Sequence, residues 1–108
     1  MATAQEFVDR WGRRVRLTGE RLGHLQQHPE MIGLEEEIGR TLAEPGTVVQ
    51  SSSDDSIRLY YRWVPETLVG GKYLCVVVKF REGEDAFIVT AYLTDRVKKG
   101  AVVWTSER

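Results

Sequence analysis

Two histidines, His24 and His28, are the only ones in the chain, and they stand four residues apart. On a helix that spacing puts both imidazoles on one face, within reach of a single site. Three readings are open. A metal pair needs a third ligand, and with no further histidine and no suitably spaced cysteine a carboxylate would have to serve. Two surface or packing histidines, one of them stacked on Pro29, would do no chemistry. Two proton carriers would use the side chain whose unperturbed pKa lies nearest neutrality, giving and taking a proton across one bond. The single cysteine, Cys75, has apolar neighbours and no evident base, so it reads as strand packing rather than as a nucleophile. Glu35, Glu36 and Glu37 point about 100° apart on a helix and do not converge on one ion, so they read as favourable charge in a first helical turn.

The elements that must carry these residues follow from periodicity. Residues 1 to 12 carry weak signals, and the reading is a short helix from Ala4 to Trp11 packing Phe7, Val8 and Trp11. Arg13 to Leu17 alternates as a short strand. Thr18 offers an N-cap hydroxyl, with Leu17 and Leu22 placed as a hydrophobic staple, so a helix is predicted from Thr18 to His28, ended by Pro29. A second helix carries Leu34, Ile38 and Leu42 as one apolar stripe and closes at Pro45-Gly46. From Thr47 the period changes to two, and four or five strands follow with short connections, which implies antiparallel pairing. The expected fold is α+β, with N-terminal helices on one face of a four- to five-stranded antiparallel sheet.

Alternation then divides the strands. If Ile57/Leu59/Tyr61/Trp63, Leu74/Val76/Val78/Phe80 and Phe87/Val89/Ala91/Leu93 face the helices, the opposite face presents Arg58, Tyr60 and Arg62, then Tyr73, Cys75, Val77 and Lys79, then Ile88, Thr90, Tyr92 and Thr94. Forked cations beside aromatic faces suit a phosphate and a base. The plainer reading is a solvated sheet face rich in β-formers.

Three ordered blocks resemble a known family. Thr18-Gly19-Glu20-Arg21-Leu22-Gly23-His24 leads to His28-Pro29-Glu30-Met31, Gly71 to Lys79 ends Val-Val-Val-Lys, and Phe87 to Asp95 ends Thr-Ala-Tyr-Leu-Thr-Asp. They are similar to the phage barnase-EndoU-colicin-RelE-like nuclease domains, whose pattern is T-x-E-R-x-x-H-x-x-x-H-P-E-M, V-V-V-K and T-A-Y-x-T-D. The likeness runs from about residue 15 to 104 of a single domain spanning residues 1–108. It implies a metal-independent RNA endonuclease of the RelE/barnase-EndoU-like fold, needing no cofactor, with RNA across the open sheet face. The matching positions are His24, His28, Lys79, Thr90 and Tyr92; Arg58 and Tyr60 rest on the alternation and a weaker match, and Arg62 on the alternation. RNA supplies its own nucleophile, the 2′-hydroxyl. The implied roles are base and acid for His24 and His28 in either order, phosphorane stabilisation for Lys79 and Arg58, and nucleotide positioning for Tyr60, Arg62, Thr90 and Tyr92. Helices that cover the other face would let the histidines reach this platform only around a sheet edge or at a helix end. A phage or mobile-element toxin held by an acidic inhibitor protein fits the same likeness. The competing class is a non-catalytic module of nuclease fold that recognises RNA or a protein partner.

Composition bounds these readings. With 108 residues, 42% apolar and 29% charged, the chain reads as one globular domain with enough core to fold without disulfides. No long apolar run suggests a signal peptide or membrane span, and the lone cysteine suits a reducing, cytoplasmic setting. A net charge of -1 leaves room only for a local basic site. Up to Glu44 there are 6 Lys plus Arg against 8 Asp plus Glu, and from Pro45 there are 9 against 8, so the sheet half is expected to supply that site through Arg58, Arg62, Lys79 and the Arg96-Lys98-Lys99 loop.

Overall fold

The computed structural model describes residues 3–106. Its first element is a strand, β1 (Thr3–Val8), paired antiparallel with β2 (Arg14–Thr18). The helix expected over Ala4 to Trp11 is therefore corrected to a hairpin. Its turn is held by Asp9, whose Oδ1 accepts from the Trp11 and Arg13 amides at 2.9 Å each. Gly12, at φ +83°, closes the turn where a side chain would be strained. β1 shows no apolar alternation because it is an edge strand that buries Phe7 and leaves its other residues exposed.

Helix α1 (Gly19–Gln26) starts at Thr18, whose hydroxyl accepts from the Arg21 amide at 3.2 Å. Helix α2 (Glu35–Ala43) follows a 3₁₀ turn over Pro29–Met31 and carries Glu35, Glu36 and Glu37 in its first turn. Phe7 packs so closely on Gly39 that a Cβ there would lie 3.0 Å from the ring. Five strands follow among the described residues: β3 (Thr47–Gln50), β4 (Ile57–Val64), β5 (Lys72–Phe80), β6 (Ala86–Thr94) and β7 (Ala101–Thr105).

All seven strands form one sheet in the order β1-β2-β6-β5-β4-β3-β7. β2 meets β6 in parallel through Arg16 and Phe87, and the other pairs are antiparallel. The expected four- to five-stranded antiparallel sheet behind N-terminal helices is thus corrected. The sheet is mixed and wider, and a hairpin precedes the two helices. That hairpin reaches β6 by a connection running through both helices and three strands, which short-loop reasoning does not anticipate.

The helices cover one face. The main core gathers Val15 and Leu17 from β2, Leu25, Ile38 and Leu42 from the helices, and Tyr60, Leu74, Val76, Val78, Ile88 and Ala91 from the sheet. A second, smaller cluster of Val49, Leu59, Tyr61 and Cys75 lies on the opposite face, with Ile57, Tyr73, Val77, Tyr92 and Val97 packed around it. The 95–100 loop covers part of that face, and the Lys98 amide donates to the Tyr61 hydroxyl at 3.1 Å.

Candidate nucleic-acid interface

Register decides where the expected platform residues lie. On β4, Arg58, Tyr60 and Arg62 pair with Val78, Val76 and Leu74 and share the helix-covered face. The expected phase of this strand is therefore reversed. Tyr60 is fully buried, and its hydroxyl donates to Asp9 Oδ2 at 2.9 Å. Burial and then the Asp9 carboxylate push its pKa well above the ordinary tyrosine value. A hydroxyl so enclosed ties the first hairpin to the sheet and has no path to a nucleotide. Arg62 donates to Glu37 Oε1 on α2 at 3.1 Å, and the Arg58 guanidinium lies 5.3 Å from the Phe80 ring centre. Both arginines sit toward strand ends, where a long stem lies on the core rim while its charge reaches water.

On β6 the alternation changes phase partway. Val77 pairs with Thr90 and Val78 with Ile88, leaving Val89 as a bulge. Ala86 and Ile88 therefore enter the main core ahead of the bulge, with Ala91 after it, and Phe87 moves to the open face. Ile88, expected on the platform, is corrected to core. Thr90 and Tyr92 do lie on the face away from the helices. Thr90 is exposed, whereas Tyr92 packs against Cys75 and Tyr61, and burial raises its pKa above the tyrosine norm. Cys75 is buried, and that burial pushes its thiol up to about 11 against hydrogen bonds from Tyr92 and Tyr61. Lys79 is on the open face of β5, where its Nζ meets Asp54 Oδ2 at 3.3 Å.

The histidines are placed differently from a single helical face. α1 ends at Gln26, and His28 lies beyond it with extended backbone at φ -102° and ψ 110°, as Pro29 requires of its predecessor. Both imidazoles are exposed, and both line one shallow cavity of about 220 Å³ with Arg21, Leu25, Gln27, Val89 and Thr90. The cavity opens between α1 and the bulged part of β6. β2 leaves β6 after the Arg16–Phe87 bridge, so the sheet edge is open there. The structure thus brings together His24, His28 and Thr90, and sets Lys79, Arg58, Tyr60, Arg62 and Tyr92 outside this cavity. Among the described residues no cluster of three His, Cys, Asp or Glu side chains is arranged to hold a metal ion.

A group of arginines absent from the expected site adjoins it. Arg21 also borders a cavity of about 330 Å³ with Arg16, Thr18, Glu20, Arg81 and Phe87. Arg81 in turn borders a third cavity, also about 330 Å³, with Arg13, Phe80, Gly83 and Glu84. The guanidiniums lie on rings: Arg81 is 4.7 Å from the Phe87 centre, and Arg13 is 4.9 Å from that of Phe80. Arg16 makes a forked pair with Asp85, its Nε and Nη2 reaching Oδ1 at 3.1 and 2.9 Å. Among the described residues Arg13, Arg21 and Arg81 make no ion pair. Of this group only Arg16 carries a signal in the sequence: with Val15 and Leu17 inside, alternation turns Arg16 outward, beside whichever strand pairs next. Nothing in the local pattern marks Arg13, Arg21 or Arg81, which are brought together by the fold.

No protein-family model, no curated protein and no solved structure matches this chain.

Proposed function

We propose that the protein is a metal-independent RNA endonuclease that cleaves by attack of the 2′-hydroxyl on the adjacent phosphate. The observation that carries this reading is the cavity in which His24, His28, Arg21 and Thr90 meet. Its side chains match the chemistry required. One imidazole takes the 2′-hydroxyl proton, the other protonates the leaving 5′-oxygen, and the Arg21 fork stabilises the phosphorane charge. Thr90, on the open face beside the bulge, offers a hydroxyl for positioning. The resemblance of the Thr18 to Met31 block to phage barnase-EndoU-colicin-RelE-like nucleases supports the same two histidines. Phosphorane stabilisation passes from Lys79 and Arg58 to Arg21, because Lys79 is engaged by Asp54 and neither it nor Arg58 borders the histidine cavity, whereas Arg21 does. Among the described residues no helix is long and apolar enough to cross a membrane. A cytoplasmic setting and an acidic protein inhibitor belong to this proposal as well.

The test is cleavage of a structured and an unstructured RNA in excess EDTA. Wild-type protein is expected to leave 2′,3′-cyclic phosphate ends and to spare the 2′-deoxy analogue. His24→Ala and His28→Ala should each lose about 10²- to 10⁴-fold in rate while keeping the wild-type circular dichroism spectrum. Absence of cleavage by wild-type protein at high concentration would overturn the proposal in favour of a binding module.

A further inference from the structure

We infer that Arg13 over Phe80, Arg81 over Phe87 and Arg21 line a groove for single-stranded RNA that rounds the β5–β6 turn, from the helix-covered face where Phe80 lies to the opposite face of Phe87, and leads into the histidine cavity. This rests on the nuclease reading, because it names the form of the substrate and the route by which it is held. Three observations carry it. The cavities adjoin in series, since Arg81 borders both the Arg13 cavity and the Arg16 cavity, and Arg21 both the Arg16 cavity and the histidine cavity. The three arginines make no ion pair among the described residues, so their forks can donate to phosphate oxygens. Arg13 and Arg81 lie over aromatic rings at 4.9 and 4.7 Å, so each guanidinium plane is already braced and presents its outer face for a base.

That combination selects single strands. Bases splayed from a strand stack on guanidinium planes and rings, whereas a duplex keeps its bases stacked on one another and offers mainly phosphate and sugar. Arg16 has a different part. Its fork on Asp85 anchors the turn between β5 and β6, in which Gly83 at φ +74° makes the bend that holds Arg81 beside Phe87. It is a positioning residue.

The experiment is fluorescence anisotropy with a fully 2′-O-methylated single-stranded oligonucleotide, which cannot be cleaved, over a series of NaCl concentrations. Three phosphate contacts predict a log-log salt slope of about 2, at about 0.7 per contact on a single strand. Arg13→Ala and Arg81→Ala should each weaken binding about 10-fold and each lower the slope by about 0.7. Arg81→Lys should restore the slope but not the full affinity, since it keeps the charge and loses the braced plane. Arg96→Ala, on the loop between β6 and β7, should change neither. Equal binding of a duplex, an unchanged slope in Arg13→Ala and Arg81→Ala, or an equal effect of Arg96→Ala would each overturn the groove. A protein that binds as described but cleaves no RNA would sink the cleavage reading and leave the groove standing; cleavage with unchanged slopes would do the reverse.

Discussion

Cys75 and Tyr60 are the buried groups whose ionisation folding opposes most clearly, and both lie away from the histidine cavity. Cys75 sits within the second cluster, with burial lifting its thiol from 9.0 to about 11. A folded-state pKa above the unfolded value means that the stabilisation is complete below about pH 9 and is lost as pH rises through about 11. Tyr60 follows the same sign from a higher starting value, because burial and then the Asp9 carboxylate both disfavour the phenolate. Urea unfolding at about pH 8 and about pH 10.5 should therefore show a marked alkaline loss of stability, smaller in Cys75→Ala although that variant starts lower because of the cavity it leaves. Tyr60→Phe should cost about 1–2 kcal/mol near neutrality, since Asp9 Oδ2 loses its donor inside the protein. It too should flatten the alkaline limb. An alkaline loss as steep in both variants as in wild type would show that neither group titrates as the packing requires.

The helix from Thr18 and the strands after Thr47 were legible because each satisfies a local rule: a capping hydroxyl, an apolar stripe, an alternation between turns. The faces of β4 and β6 were not, and the reasons are specific. In β4, Leu59, Tyr60 and Tyr61 are all buried because both sheet faces are covered there, so polarity does not set the phase, and two rim arginines suggest the wrong one. In β6 the bulge at Val89 inverts the pattern midway, and nothing in Phe87-Ile88-Val89-Thr90 announces it. The spacing of the histidines singled them out, but they share a cavity for another reason, since His28 lies beyond the end of α1 on extended backbone; the arginines beside them depend on the parallel meeting of β2 with β6, a contact between residues far apart in sequence. The bulge supports a sharp prediction. Deleting Val89 would leave Ile88 facing the core and Thr90 facing out in a regular ladder, so the sheet should survive with cooperative thermal unfolding. The deletion removes one wall of the histidine cavity and the bend that shapes it, so RNA cleavage should fall at least about 10²-fold, the scale of one misplaced catalytic group. Cleavage at the wild-type rate would separate the bulge from the site.

Charge over the whole molecule is nearly balanced, and the basic groove draws Arg13, Arg16 and Arg21 from the half of the chain that carries the acidic excess, 6 Lys plus Arg against 8 Asp plus Glu up to Glu44. Folding makes the basic surface by bringing the first hairpin beside β6 and the Arg81 turn. The same architecture sets an order of stability. β5 lies at the centre of the seven strands, with antiparallel partners on both sides and with Leu74, Cys75 and Val76 fully buried. The hairpin of β1 and β2 lies at the edge and joins β6 through the Arg16–Phe87 bridge. Its inward side chains, Phe7, Val15 and Leu17, still anchor it to the main core, so it should open as one unit short of global unfolding. Native-state hydrogen exchange should find the Val76 to Val78 amides the slowest and the β1–β2 amides faster, with Asp85→Asn speeding the hairpin further by releasing the Arg16 fork. Because that hairpin carries Arg13, opening it destroys the groove, so saturating 2′-O-methyl RNA should slow its exchange by about 100-fold at a ligand concentration about 100 times Kd, the same factor by which it slows the global opening that exposes β5. Hairpin exchange left unchanged by RNA while β5 exchange slows would show that the hairpin opens with the RNA still bound and takes no part in holding it.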